Sequence, residues 1–381
     1  MTAASQRNAG IDALRGVSIL LVLIHHLALR IPLRDTALAD GLPHRLLGAL
    51  SYNGYEAVFV FFVISGFLIT WHALQRGSTL DRIDVRGFYV RRIARIVPPL
   101  ALLLVVLSAM HLLGVPQYVI ERDDQSLPGA LASAMSFTLN WYEGRTGWLP
   151  GGWDVLWSLS IEEVFYLAFP LLCLLLRRRV PLVAALLLLA LSLPLTRAAL
   201  EGNEIWQEKA YLPGFSAIAF GVLTALMVKR WTVPASTARW LCMAGAIGLL
   251  AVLLCGRELW SSLGNGSMLV LTGAAAMLIA GLHARPARTP MRALGWLRSA
   301  GRLSYELYLT HMFVVFALVG AYRQLGADVR SGAWWYLALL PLCWALAWTF
   351  AHAWTLPAER WIKRRWLRGQ LADKPVSMSA A

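Results

Sequence analysis

Three groups of ionisable residues sit inside apolar stretches of this 381-residue chain, where their types and spacing invite chemistry. In LRGVSILLVLIHH, Leu14 to His26, a histidine follows an arginine by eleven positions. Eleven residues at ~100° each make ~1100°, about 20° beyond three whole turns. Arg15 and His26 therefore share a helical face, about 16 Å apart along the axis. His25 points about 100° away and cannot join them. A neutral imidazole titrates near working pH and suits general base catalysis. A histidine at that depth also serves as a neutral core residue hydrogen-bonded to a neighbouring helix.

The second group lies in FYVRRIARIVPP, Phe88 to Pro99, where Arg92 and Arg95 are three apart on one face. Arginine grips phosphates with paired donors, although arginines at a helix end are also ordinary topology signals. Pro98 and Pro99 predict a kink that frees backbone carbonyls. The third group is WSLSIEEVFYLAFPLL, Trp157 to Leu172, with Glu162 and Glu163 in its first turn. The helix dipole alone accounts for acids there. Within an apolar span, at least one should still face a polar cavity or an arginine.

Two further stretches supply polar side chains. NGYEAVFVFFVISGFLITW, Asn53 to Trp71, carries Ser65 next to Gly66, and glycine there permits close helix packing. GRLSYELYLTHMFVV, Gly301 to Val315, holds Tyr305, Tyr308 and His311, the last two near one face. Plain structural hydrogen bonding explains these two as well. Ser65, Tyr166, Tyr305, Tyr308, His311 and Trp148 are candidates to line a pore or meet an acceptor.

The elements that must position these groups are apolar helices. The chain is 58% hydrophobic and 15% charged, with a mean hydropathy of +0.58 and 17 tryptophans. A soluble protein of this composition could not cover its surface. The fold class expected is an all-α polytopic membrane protein embedded in the lipid bilayer. Ten hydrophobic runs are candidate spans: 14–31, 54–75, 88–114, 157–177, 180–198, 211–229, 237–256, 262–283, 302–323 and 333–356. The segment 129–140 is short and polar, so it stays outside the count. The first run lacks a small-x-small cleavage pattern and is expected to be retained.

The net charge of +14 does not point to nucleic acid, because the basic residues fall between the apolar runs. With the N-terminus in the cytoplasm and ten spans, 25 of the 35 lysines and arginines fall on the cytoplasmic side. Positive-inside sorting produces such a split, and it places both termini in the cytoplasm. The expected organisation is a transmembrane domain over 1–358 and a basic cytoplasmic tail over 359–381. The four cysteines are scattered through apolar segments, so neither a metal site nor a disulfide framework is expected. A G-x-S-x-G elbow, a P-loop and a G-x-G-x-x-G fingerprint are all absent.

Five stretches, IDALRGVSILLVLIHH, FFVISGFLIT, FYVRRIARIVPP, WSLSIEEVFYL and GRLSYELYLTH, occur in order between residue 11 and about 315. Together this set resembles acyltransferase family 3, the integral membrane O-acyltransferases. The resemblance matches Arg15 and His26 to the family's arginine-to-histidine motif, Arg92 and Arg95 to its R-x-x-R, and Glu162 to its glutamate. Phe59 departs from the pattern, since a polar or acidic residue is frequent there. The family resemblance implies acyl transfer, usually of acetyl, from cytoplasmic acyl-CoA to a carbohydrate hydroxyl. Acyl-CoA would be a co-substrate, with no permanently bound cofactor. The expected location is a bacterial inner membrane; some members of the family carry an extra hydrolase-like domain, and because the sequence ends soon after the last span the stand-alone type is expected here.

The mechanism expected on this reading has Arg15, Arg92 and Arg95 holding the CoA phosphates, His26 acting as base, and Glu162 orienting or stabilising His26. Trp141, Tyr142, Trp148 and Trp153 in the 115–156 loop are the expected sugar readers, although aromatic residues are equally ordinary at a membrane interface. The rival class is a proton-coupled transporter or flippase, which also buries arginine, histidine and glutamate. The absence of an internal repeat counts against it.

Overall fold

A computed structural model describes residues 8–77, 79–176, 178–285 and 292–367. All regular structure among them is helical. The long elements are α1 (Ala9–Ala28), α2 (Gly54–Gly77), α3 (Val85–Leu112), α4 (Trp157–Leu175), α5 (Arg179–Leu191), α6 (Tyr211–Arg230), α7 (Ala235–Leu254), α8 (Ser267–Ala284), α9 (Ser304–Gln324) and α10 (Ala333–Phe350). A π-helical turn, Ala351–Thr355, joins α10 to a final helix, α11 (Leu356–Trp366). The starts follow local chemistry. The Asn8 side chain accepts from the Gly10 and Ile11 amides at 2.9 and 3.1 Å, and that of Asp84 from the Gly87 amide at 2.9 Å.

Nine helices among the described residues are long and apolar enough to cross a membrane. The expected continuous span at 180–198 is the exception. It is α5 followed by a separate six-residue helix, Leu193–Ala198, with Ser192 at the break. Pro194 cannot donate into the preceding turn. The Ser192 hydroxyl turns back to the Leu189 carbonyl at 2.7 Å, so the backbone is satisfied locally. The two pieces have 13 and 6 residues, with Ser192 between them.

Helix α3 stays helical through Pro98 and Pro99. Side chains donate to carbonyls in that turn: the Tyr305 hydroxyl to Ile96 at 3.3 Å and the Trp354 indole to Pro98 at 2.8 Å. The second bond ties the π-helical turn against α3. Residues 359–366, expected to begin a tail, are instead the body of α11, which packs on α3. Positions 368–381, with Arg368 and Lys374, lie outside the described residues, as do Arg7, Arg177 and Arg288.

Two glycine pairs set the closest approaches. A methyl group on Gly66 of α2 would overlap the Ile218 carbonyl of α6, and one on Gly221 of α6 would overlap the Val63 carbonyl of α2. In the same way Gly16 of α1 meets the Leu297 carbonyl, and Gly301 meets that of Asp12. Only glycine lets the backbones touch. The second pair seats α1 against the short helix Gly295–Arg302, directly before α9.

Candidate active site

A cavity of about 650 Å³ opens between α1, α2, α3, α4 and α9. One end of it is rich in cations: Arg76, Arg91, Arg92, Arg95, Arg302 and Lys363. Arg92 and Arg95 share a face, as three-residue spacing requires, and both line the wall. Each already holds a carboxylate. Arg92 meets Glu163 at 3.0 Å and lies 3.8 Å over the Tyr166 ring. Arg95 grips Glu306 at 2.8 and 3.1 Å, with Glu359 of α11 at 3.7 Å. Lys363 pairs with Glu359. Arg91 faces Asp84 at 3.5 Å, whereas Arg76 and Arg302 make no salt bridge among the described residues.

Deeper in, Arg15 donates to the Ser304 hydroxyl at 2.7 Å, at the start of α9. Ser65 of α2 bonds the Tyr166 hydroxyl, and Tyr166 donates to Glu162 at 3.4 Å. Ser65 also bonds Glu162, which feels the charges of both Arg92 and Arg15. Ser158 donates to the Tyr308 hydroxyl at 2.7 Å, and Tyr308 donates onward to the Val155 carbonyl at 2.8 Å. Ser158 and Tyr308 are the polar residues at the inner end of the cavity wall.

Beyond Tyr308 lie two imidazoles. The His26 and His311 rings are 4.8 Å apart between centroids and inclined by 67°. Nδ1 of His26 meets the Val22 carbonyl at 2.9 Å, and Nδ1 of His311 meets that of Tyr308 at 2.8 Å. His311 is fully buried, and its Nε2 has no hydrogen-bond partner among the described residues. His25 turns away as its position demands and meets the Ser51 carbonyl at 2.7 Å.

The expected link between Glu162 and His26 is not formed. Glu162 belongs to the Ser65–Tyr166 cluster. The charged or titratable groups acting on His26 are His311, His25 and Arg30. Glu162 lies five residues into α4, below the turn that carries Ser158, while His26 lies two residues from the end of α1. The partner of His26 is thus a second histidine, from α9.

Past the histidines, toward the other end of the molecule, lie Arg30 and a buried lysine. Arg30 donates to the His26 carbonyl at 2.7 Å and lies 4.9 Å from the Phe316 ring centre. There Lys209 is fully buried between Glu143, at 2.8 Å, and Asp154. Burial and the neighbouring Asp154 push the Glu143 carboxyl well above its ordinary value of 4.5, against the pull of Lys209. Trp148 stacks 4.1 Å over the Lys209 ammonium and remains 39% exposed.

The aromatic loop is only partly available. Trp153 is completely buried, so it cannot stack on a sugar. The Tyr142 hydroxyl is bonded to the Ser126 amide at 2.8 Å. Trp141 is half exposed and packs edge-on to Trp206.

Glu163 meets Arg92, as one of the two adjacent acids was expected to meet an arginine, whereas Glu306, Glu359, Arg76, Arg302 and Ser158 were not singled out from the sequence. Glu306 stands inside the quoted GRLSYELYLTH stretch, and an acid in an apolar helix was itself the signal.

A family model described as an acyltransferase domain matches residues 8–354. The peptidoglycan O-acetyltransferase OatA of Listeria monocytogenes is 26% identical over 334 residues, 80% of this chain and 49% of that protein. YrhL of Bacillus subtilis is 28% identical over 359 residues, 87% of this chain and 51% of that protein. The O-acetyltransferase OatA of Staphylococcus aureus is 28% identical over 173 residues, 42% of this chain and 24% of that protein. The chain spans about half or less of the length of these curated relatives. No solved structure matches it.

Proposed function

Since the chain belongs to this acyltransferase family, we propose that it moves an acyl group, acetyl first among candidates, from acyl-CoA to a carbohydrate hydroxyl. Relatives named for peptidoglycan O-acetylation make a cell-wall or other surface glycan the favoured acceptor. In this reading the cation-rich end faces the cytoplasm of a bacterial inner membrane, in keeping with positive-inside sorting. One observation carries the proposal: the cavity runs from its cation-rich mouth to Tyr308, whose ring lies 5.9 Å from that of His311, itself 4.8 Å from that of His26.

CoA phosphates meet Arg76, Arg302 and Arg91 first, because these cations keep weak or no carboxylate partners. Arg92 and Arg95, held by Glu163 and Glu306, line the passage for the pantetheine arm. Arg15, beside Ser304, contributes positive potential there. At the inner end neutral His26 removes the acceptor's proton through Nε2, the nitrogen left over once Nδ1 bonds Val22. Ser65, Tyr166 and Glu162 form a hydroxyl-rich wall for the thioester end. Tyr305, whose hydroxyl is occupied by the Ile96 carbonyl, is a wall residue.

The test is label transfer from radiolabelled acetyl-CoA to endogenous glycans, in membranes holding wild type or His26→Ala at matched protein level. Loss of base catalysis lowers transfer by ~10²–10⁴-fold. Undiminished transfer by His26→Ala would remove His26 from the chemistry.

A further inference from the structure

Resting on the acyl-transfer reading above, we propose that His311 is the proton-sharing partner of His26. The role expected of the carboxylate Glu162 thus passes to a second imidazole. The geometry is specific. Each ring spends Nδ1–H on a carbonyl of its own helix, Val22 for His26 and Tyr308 for His311. A carbonyl only accepts, so in the neutral rings both Nε2 atoms carry lone pairs. One of them, on fully buried His311, has no partner among the described residues. A buried acceptor without a donor is destabilising unless a ligand or a proton completes it. The facing ring, 4.8 Å away between centroids, is the one assigned to take a proton.

The step balances. The acceptor O–H bond breaks as its oxygen bonds the acyl carbon, and the proton goes to Nε2 of His26. The new N–H then donates to Nε2 of His311, so one positive charge is shared by two rings. As the tetrahedral centre collapses, the C–S bond breaks and its electron pair leaves on sulfur. That thiolate takes the shared proton, and both imidazoles return to neutral. Buried in a low-dielectric site, a lone imidazolium is costly, and a second ring as hydrogen-bond acceptor lowers that cost. The titratable and charged groups around the pair are His25 near the end of α1, turned toward Ser51, Arg30 just past that end, and Tyr308 from α9. Arg30 opposes an imidazolium, which makes the sharing more useful.

The decisive variant is His311→Asn. The asparagine amide reproduces the Nδ1–H bond to Tyr308 but has nothing at the Nε2 position. Label transfer from acetyl-CoA in membranes should fall at least ~10-fold at unchanged protein level, and added imidazole should restore part of it to His311→Ala. In nitrogen-15 spectra of purified protein, titration of His26 should shift when His311 becomes asparagine, because coupled sites titrate as a pair. Wild-type transfer with an unimpaired His311→Asn, or a His26 titration indifferent to it, would make His311 a structural anchor and end the proposal. Absence of transfer by wild type would instead overturn the acyl-transfer reading, and this proposal with it.

Discussion

The two ends of the molecule use the same ion pairs to opposite effect. At the cation-rich end the side chains of Arg92 and Arg95 are each 26% exposed while their carboxylates, Glu163 and Glu306, are 8% and 1% exposed. At the far end Lys209 and Glu143 are both at 0%. Wet cations over dry carboxylates remain open to an incoming anion. A dry lysine enclosed by two acids and a tryptophan does not. Charge pairs thus build a site in one place and a plug in the other, and exposure rather than distance separates the two.

The largest effect expected from breaking this contrast is at the plug. Lys209→Ala leaves buried Glu143 and partly buried Asp154 without their cation, and breaking a buried pair costs about 3–5 kcal/mol. Protein abundance and the thermal midpoint in detergent should both drop sharply. A Lys209→Ala protein of normal midpoint would show that the far end is as open as the near one. A smaller effect is expected at the rim. Arg76→Ala and Arg302→Ala should each raise KM for acetyl-CoA about tenfold, the weight of one charge-assisted hydrogen bond, with the midpoint unchanged. A fall in kcat with constant KM would move these residues from binding to the chemistry.

The subtlest effect follows from Glu143. Its carboxyl value in the folded state is raised by burial. Such a group adds stability that is complete below its unfolded value, and that stability is lost as pH rises through the folded one. The midpoint should therefore fall as pH rises above the ordinary carboxyl range, and Glu143→Gln should flatten that slope. An equally steep slope in Glu143→Gln would place the titrating group elsewhere.

The sequence carried the near end further than the far one. Arg15 and His26 were expected on one face, and both do meet α9, at Ser304 and His311. The arginine pair, nine of the ten apolar runs and the kinship of Tyr308 with His311 were legible because helical period relates residues close in sequence. Pairings across the bundle were not. Arg95 finds Glu306 at a separation of 211 residues, and no period links them. Glu162 is assigned to His26 by analogy with a triad, whereas its hydrogen bonds run to Tyr166 of its own helix and to Ser65, the latter a pairing between helices that no period announces. The break at Ser192 was hidden because a long apolar run reads alike whether its helix is continuous or not. The burial of Trp153 was equally invisible, since an aromatic residue in a loop serves an interface or a core without changing its letter.

The glycine contacts reach further than packing. Gly16, Gly66 and Gly301 each press on a neighbouring carbonyl, and the residues beside them are Arg15, Ser65 and Arg302, all in the cavity wall. A joint between two side chains has slack, because rotamers change. A joint between two backbones has almost none. The cavity's polar groups are thus mounted one residue from the stiffest fixings in the molecule, as instrument parts are mounted beside a datum. Catalytic geometry tolerates errors of roughly 0.5 Å, and a bundle of apolar helices sliding in fluid lipid is an unpromising place to hold it. Fixing three helices by bare backbone confines that tolerance to the few side chains that need it, while the rest of the bundle stays free to yield to the bilayer.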